Sequence, residues 1–255
     1  MSKIYLGSIA MEKNRWAPGR IPTYNVSDYL KRAVEDGFAG IELWENHYYL
    51  ASDEEKKKLT SSGTEFIFNS YFNLAEGESD AIKAAADAVN ALGATKVKYN
   101  FAHVDYGVDE NSLMKQRDTL LSFAEMISPD VKLLCECHGW TAMEVPERAA
   151  KVFDTLDERF GAIVHLSAEH DSIKNCFECY KERIWHVHTA ASKPKGVFVH
   201  LEDIADIVEQ NLNYMLSEGF SGTMTTEFIK EADDMDSYYK NALADLKYIN
   251  SIYKK

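Results

Sequence analysis

The chain has few positively charged residues. Lysines and arginines number 28 against 41 aspartates and glutamates in 255 residues, so the formal net charge at pH 7 is -13. No basic stripe occurs in the sequence, whereas proteins that bind a phosphate backbone carry clustered lysine and arginine side chains. The charge balance therefore argues against a nucleic-acid partner.

The sequence also lacks long hydrophobic runs. No apolar stretch approaches the roughly 20 residues that a membrane-spanning helix needs. Residues 1–7 contain too few apolar side chains for a signal peptide and lead directly into a strand-like run. We therefore expect a soluble, cytoplasmic protein with no membrane partner.

Cysteine is scarce, and the four residues come as Cys135 and Cys137 and as Cys176 and Cys179. Zinc sites of four thiolates usually take their ligands from turns with paired Cys-x-x-Cys spacing. The first pair instead flanks Glu136 in a predicted strand, and the second pair lies one turn apart in a predicted helix. This arrangement favours free thiols packed between strand and helix over a structural zinc site.

No glycine-rich phosphate-binding turn follows the first strand-like run, which disfavours a doubly wound open sheet. What the sequence does contain is a regular alternation of strand-like and helical patterns. The predicted strands are 4–9, 40–43, 65–70, 95–99, 131–136, 162–167, 183–188 and 223–227.

Helical periodicity fills the gaps between these strands. The first predicted helix has Ser27 as its N-cap and ends at Gly37. The others are 52–59, 80–92, 111–127, 146–156, 171–182, 201–216 and 236–252. Eight alternating units in a chain of this length predict an α/β fold, a single (β/α)8 TIM barrel that spans residues 1–255 as one domain.

Ionisable side chains stand at the ends of several predicted strands. The fifth strand ends at Glu136 and is followed by His138, the seventh ends at His188, and the eighth ends at Glu227. Charged groups next to buried strands are costly unless they are paired, and the active sites of β/α barrels lie at the C-terminal ends of the strands. These endings therefore predict a functional site.

Strand parity predicts which side chains meet in the lumen. Because side chains alternate between the two faces of a strand, the lumen mouth is expected to gather Glu42, Lys98, Glu136, His138, Ser167, His170, His188 and Glu227. His165 shares the face of Ser167, and Leu134 is grouped with the apolar residues expected to face the helices. Trp44 and Trp140 follow strand ends, where they either stack on a sugar face or pack.

The residue types at this mouth suit a metal ion. Two glutamates and an imidazole that converge are suitable ligands for manganese, magnesium or zinc. The same pair, Glu136 and Glu227, is also suited to acid/base transfer of a proton beside a carbonyl group.

Several motifs together resemble the xylose-isomerase-like TIM barrels, the superfamily that includes sugar isomerases and epimerases and endonuclease IV. They are GFAGIEL at 37–43, ALGA at 91–94, ECH at 136–138, HVH at 186–188 and GFSG at 219–222, which leads to Glu227. The resemblance runs over nearly the whole chain. It implies metal ligands after strands five to eight, of which Glu136, His188 and Glu227 match the first, third and fourth.

Strand six departs from the family pattern. The Asp-x-x-His of the family falls on 167–170, where His170 is kept but Ser167 replaces the aspartate. A neutral hydroxyl is a poor substitute for a carboxylate ligand. Three outcomes are open: His170, Glu169 or Asp171 supplies the ligand, the metal binds weakly, or it is absent and Lys98 or a histidine acts as the electrophile.

The resemblance implies an isomerase or epimerase that transfers a proton next to a carbonyl of a small polyhydroxy substrate. The expected catalytic residues are Glu136 and Glu227, the expected metal ligands are these two and His188, and the expected substrate contacts are His138, His170, Lys98, Glu42 and Trp140. Lys193 and Lys195 are candidates for an anionic substrate group.

The alternatives are a lyase or dehydratase on the same barrel, and a binding protein that lost catalysis with the aspartate. DNA repair ranks last because of the acidic charge. A homo-oligomer is compatible with the sequence.

Overall fold

Eight parallel strands form a closed barrel in the computed structural model, which describes residues 2–193 and 196–253. The strands are β1 (Ile4–Gly7), β2 (Gly40–Trp44), β3 (Phe66–Asn69), β4 (Lys96–Tyr99), β5 (Lys132–Glu136), β6 (Phe160–His165), β7 (Ile184–Ala190) and β8 (Thr223–Phe228). Each strand pairs with the next, and β8 pairs with β1. The predicted (β/α)8 barrel is confirmed, and the open sheet is excluded.

The helices surround the barrel in the predicted order. They are α1 (Leu30–Glu35), α2 (Asn46–Tyr49), α3 (Asp53–Thr60), α4 (Asp80–Leu92), α5 (Glu110–Met126), α6 (Pro146–Phe153), α7 (His170–Tyr180), α8 (Ala205–Ser217) and α9 (Met235–Ile252). The short α2 was not predicted. Within the described residues, none of these helices is long and apolar enough to cross a membrane.

Side-chain caps fix where several helices begin. Ser79, Asp109 and Asp234 each accept a hydrogen bond from the backbone N–H three residues further on, as N-caps do. The predicted cap at Ser27 is wrong, because its backbone N–H and its hydroxyl both donate to the carboxylate of Glu55. The first helix therefore begins later, at Leu30.

Apolar residues form two separate clusters. The larger one lies between the barrel and the helices, and a small one, made of Tyr5, Ile67, Leu134 and Ile163, fills the lumen below the mouth. The expectation that Leu134 faces the helices is wrong, because it is two residues from Glu136 and so shares its inward face. Cys135 is in the outer cluster, and the other three cysteines pack against it without a disulfide bond, as predicted.

One carboxyl group outside the barrel lowers the stability at neutral pH. Asp245 on α9 is buried and accepts hydrogen bonds from the backbone N–H of Leu201 and from the His200 ring. Burial raises the pKa of Asp245 to about 6, although the contacts with Leu201 and His200 favour the ionised carboxylate. The folded state therefore holds a proton that the unfolded state has released, and stability falls as pH rises from about 4 to about 6.

We expect Asp245→Asn to raise the free energy of unfolding at pH 8 by about 1–3 kcal/mol, because the amide is uncharged at every pH. Urea unfolding at pH 5 and pH 8 measures the difference, which is expected to be smaller at pH 5. The control is Asp87→Asn, which removes the same charge from an exposed position of α4. An equal gain for Asp245→Asn at both pH values would contradict the assignment.

Candidate active site

Four strand ends bring two carboxylates and two imidazoles together at the mouth of the barrel. Glu136 ends β5, His165 ends β6, His188 lies in β7, and Glu227 lies in β8. The pairing of β8 with β7 is irregular between Thr226 and Phe228, so Glu227 stands at a bulge. Glu136, His188 and Glu227 are almost completely buried, whereas about a quarter of the His165 side chain is exposed.

The distances define a compact cluster. The Nδ1 atom of His188 lies 3.1 Å from Oε1 of Glu136 and 3.3 Å from Oε1 of Glu227. His165 places Nε2 at 3.2 Å from Oε1 of Glu136 and Nδ1 at 3.9 Å from Oε2 of Glu227. One ligand atom from each of the four residues lies within 4.8 Å of the other three. This is a donor set that could hold a metal ion.

Two buried polar atoms of the cluster lack a well-directed hydrogen bond. Oε2 of Glu227 has no hydrogen-bond partner among the described residues, and Nε2 of His165 lies 3.2 Å from Oε1 of Glu136 without the geometry of a hydrogen bond. Buried polar atoms without partners are costly and uncommon, and each one calls for an explanation. A cation bound between these oxygen and nitrogen atoms would satisfy both, so the residues present fit a divalent metal ion.

A second acidic residue supports His188 from the other side. Nε2 of His188 lies 3.2 Å from Oε2 of Glu42, and Asn69 donates a hydrogen bond of 2.7 Å to Oε1 of Glu42. His186 lies 3.5 Å from Glu42 and also contacts the hydroxyls of Thr223 and Thr225. Glu42, His186 and His188 are also close enough together to hold an ion. Because they already bond to one another and to their neighbours, we interpret them as the support that fixes the ring of His188.

The cluster controls the protonation of its members. Burial alone would lower the pKa of His188, but the charges of Glu227 and Glu42 outweigh it and raise that pKa well above its usual value. Burial opposes ionisation of Glu136, yet Lys98 and the neighbouring rings of His165 and His188 hold the pKa of Glu136 well below its usual range. Glu136 is therefore a carboxylate at neutral pH.

Lys98 neutralises part of the negative charge of the glutamates in the cluster. Its side chain is fully buried, with Nζ 2.7 Å from Oε2 of Glu136 and 3.8 Å from the centroid of the Tyr71 ring. Asn100 donates to the same oxygen of Glu136 and contacts the ring of His138. Lys98 and His138 thus lie at the mouth, as parity predicts.

Ser167 and His170 do not join the cluster. Strand β6 ends at His165, and the chain turns over 166–168 before α7 begins at His170. The ring of His170 is bonded to the side chain of Asn211 at 2.8 Å and packs on Tyr214. The predicted position of His170 in the lumen is therefore wrong. His165 occupies the strand-six place, and only its parity with Ser167 indicated this in the sequence.

The remaining predicted residues lie at different depths. Trp140 is 74% exposed and stacks on His103, whereas Trp44 is completely buried and so offers no free face. Lys193 is exposed in a short hairpin between Ser192–Lys193 and Val197–Phe198, and Lys195 lies outside the described residues. Strand parity also turns Asn100 inward, as observed, whereas no pattern in the sequence indicates that Tyr71 or Arg20 lies near the mouth.

Comparison with known proteins finds similarity in three dimensions only. No family model and no curated protein matches the chain. The structure of the IolI protein with a binding zinc atom matches with a TM-score of 0.66 at 14% identity, over 98% of this chain and 96% of that one. The 3-keto-D-glucoside 4-epimerase YcjR of E. coli matches with a TM-score of 0.63 at 16% identity, over 97% and 100%.

A D-psicose 3-epimerase, solved in the presence of D-fructose, matches with a TM-score of 0.67 at 13% identity, over 98% of this chain and 99% of that one. Other matches include proteins with a xylose isomerase domain and endonuclease IV proteins. At these identities the likeness shows the fold alone, a closed (β/α)8 barrel.

Proposed function

We propose that this protein is a metal-dependent sugar isomerase or epimerase, which moves a proton at a carbon next to a carbonyl group. The observation that carries the proposal is the cluster of Glu136, His165, His188 and Glu227, whose ligand atoms lie within 4.8 Å of one another at the C-terminal mouth of the barrel. Structural neighbours that act on sugars, and one that binds zinc, support the same class.

The four residues are the proposed ligands of manganese, magnesium or zinc. A divalent ion held there would polarise the carbonyl of the substrate and make the neighbouring C–H bond more acidic. His165 is the proposed ligand in place of the aspartate that the sequence motif lacks, so the serine at 167 does not leave the proposed site incomplete. Glu42 lies behind His188 and is assigned to orienting its ring rather than to contact with substrate.

The two carboxylates are not equivalent, and this difference assigns their roles. Oε2 of Glu136 contacts Lys98 and Asn100, whereas Oε2 of Glu227 has no partner among the described residues. A carboxylate without an ammonium neighbour is the better proton acceptor, and of the two only Glu136 contacts a lysine among the described residues, so Glu227 is the proposed base. Glu136, a carboxylate at neutral pH, is the proposed partner that takes a proton from a substrate hydroxyl and then returns it, with Lys98 controlling its charge.

The substrate is proposed to be a small polyhydroxylated molecule rather than a nucleic acid, although endonuclease IV proteins share the fold. The net charge of -13 opposes contact with a phosphate backbone. His138 and Trp140 are the proposed substrate contacts, because both are partly or largely exposed at the mouth. Residues 1–255 are proposed to act as one domain.

Proton exchange with solvent tests the function. Ketoses and aldoses are incubated with the protein in deuterated water containing Mn²⁺, and mass spectrometry detects deuterium at the carbon beside the carbonyl. We expect exchange that EDTA abolishes and Mn²⁺ restores. We expect Glu227→Gln to slow it about 100-fold, since general bases contribute roughly 10²- to 10⁴-fold.

The matched control is Glu231→Gln, a nearby glutamate that is largely exposed and pairs with Arg15. Its exchange rate is expected to equal that of the parent. Exchange that survives Glu227→Gln at the parental rate would contradict the assigned base. Tight Mn²⁺ binding without exchange of any sugar would instead support a binding protein that has lost catalysis.

A further inference from the structure

One partly exposed arginine at the mouth has no protein acceptor for its Nη atoms among the described residues. The chain has seven arginines, and in six of them at least one Nη atom lies within 4 Å of a carboxylate or donates to a main-chain carbonyl oxygen. The exception is Arg20, whose Nε donates to the carbonyl oxygen of Arg15 at 3.0 Å. Among the described residues, no acceptor binds the Nη atoms of Arg20. Its two outermost donor groups are therefore available to a ligand.

Aromatic rings hold this guanidinium in place. Cζ of Arg20 lies 4.8 Å from the centroid of the Trp44 ring and 5.0 Å from that of Tyr71. Trp44 ends β2, and Tyr71 follows β3, so both rings belong to the mouth of the barrel. Stacking covers the faces of a guanidinium and leaves its hydrogen bonds to be made in its own plane.

The backbone at Arg20 adopts a conformation that is unusual for a residue with a side chain. Its φ angle is +46°, in the left-handed region that residues other than glycine seldom adopt. The carbonyl oxygen of Arg20 accepts a hydrogen bond of 2.9 Å from the side chain of Asn46. Strain of this kind costs roughly 1–3 kcal/mol and is concentrated at functional sites. It is an independent indication that the position of Arg20 matters.

Arg20 lies close to the proposed metal ligands. The Tyr71 ring contacts Arg20 and also lies 3.8 Å from Nζ of Lys98, which in turn contacts Glu136. A single aromatic ring therefore separates the free guanidinium edge from the ion pair beside the ligand cluster. A small substrate bound at the cluster can extend one end across this ring to Arg20.

We infer that Arg20 binds an oxyanion of the substrate, either a carboxylate or a phosphate ester. The planar fork of a guanidinium matches both groups with two parallel hydrogen bonds, and these charge-assisted bonds are strong and directional. This inference rests on the proposed function, and it specifies the substrate as a sugar acid or a sugar phosphate rather than a neutral sugar.

Anion binding to the full-length protein tests the inference without any assay of catalysis. Inorganic phosphate and D-gluconate are titrated separately into EDTA-treated protein, and binding is followed by calorimetry and by the NMR signal of the Arg20 side chain. We expect one anion to bind more tightly than the other, which distinguishes the phosphate from the carboxylate. We expect Arg20→Gln to weaken that binding at least 10-fold.

Two further variants guard against a general effect on folding. Arg20→Lys keeps the charge but not the fork, so we expect an intermediate affinity. Arg32→Gln removes another arginine stacked on a tyrosine, with Cζ 4.1 Å from the Tyr239 ring, and we expect it to bind the anion like the parent. Thermal unfolding of each variant confirms that it is folded.

The inference is overturned if neither anion binds the parent, if Arg20→Gln binds as well as the parent, or if Arg32→Gln loses as much affinity. Its failure differs from that of the proposed function. Anion binding through Arg20 without proton exchange on any sugar would reject the isomerase alone, whereas exchange on neutral sugars that ignores Arg20→Gln would reject the inference alone.

Discussion

Replacing His165 with alanine is expected to weaken Mn²⁺ binding about 1,000-fold, which corresponds to roughly 4 kcal/mol. The reason is geometric: His165 contributes one of the four ligand atoms that lie within 4.8 Å of one another. Its loss leaves two carboxylates and one imidazole, so the ion keeps three protein ligands. Calorimetry at fixed pH, with competing chelator for the tight binders, measures the change.

Ser167→Asp supplies the matched comparison. The sequence motif predicts that this substitution restores a missing carboxylate ligand and increases the affinity. The structure places Ser167 in the turn after β6, two residues beyond the strand end, so we expect the affinity to stay within twofold of the parent. A 10-fold increase with Ser167→Asp, together with an unchanged affinity in His165→Ala, would show that the motif-based register is right.

The contrast between His165 and Ser167 shows what the periodicity of side chains can predict and what it cannot. The alternation of side chains correctly placed Glu136, His188 and Glu227 on one inner face, because a period of two survives any small error in the strand bounds. It cannot say where a strand stops. The pairing of β6 with β7 shifts between Ala162 and Ile163, and β6 leaves the sheet at His165. That end depends on neighbouring strands, not on local sequence.

The sequence also does not predict how deep in the lumen a side chain lies. Parity predicts that Glu42 and Lys98 face inward, and both do, whereas the resemblance implies that they contact the substrate. Both side chains are buried and already have partners. Glu42 contacts His188 and Asn69, and Lys98 contacts Glu136. The stagger of the strands around the barrel sets the layer of the lumen that a residue occupies. The pattern of a single strand carries no information about that stagger.

Loop residues escaped prediction for a different reason. Arg20 and Tyr71 are 51 positions apart in the chain, and neither lies on a strand. They meet because the connection between β1 and α1 folds back over the end of β2, where Asn46 binds the backbone of Arg20. A polar side chain in a long connection gives no periodic signal, so only the tertiary structure shows that it reaches the mouth.

Replacing Lys98 with methionine is expected to lower the free energy of unfolding of the metal-free protein by about 3–5 kcal/mol. Removing one partner of a buried ion pair leaves the other charge uncompensated, and losses of this size are usual. Here the remaining charge is Glu136, which is 4% exposed and lies 2.7 Å from the ammonium group that is removed. Urea unfolding in the presence of EDTA measures the loss.

Two controls separate this effect from a loss of packing. Lys58→Met removes an ammonium group that lies 2.9 Å from Glu54 on the exposed surface of α3, and we expect no measurable change. The double variant Lys98→Met/Glu136→Gln removes both buried charges and is expected to recover much of the lost stability. A double variant no more stable than Lys98→Met alone would mean that the methylene chain of Lys98, not its charge, matters.

The effect of Mn²⁺ on the stability of Lys98→Met tests the role of Lys98 most directly. Lys98 and a bound cation both neutralise Glu136, so each reduces the benefit of the other. Without the ammonium group, Mn²⁺ becomes the main counter-charge of Glu136, and ligand binding to the native state alone raises stability as the affinity rises. We therefore expect Mn²⁺ to stabilise Lys98→Met by more than it stabilises the parent at the same concentration. An equal or smaller increase would show that Lys98 and the ion do not share Glu136, and the proposed ligand set would then need another carboxylate.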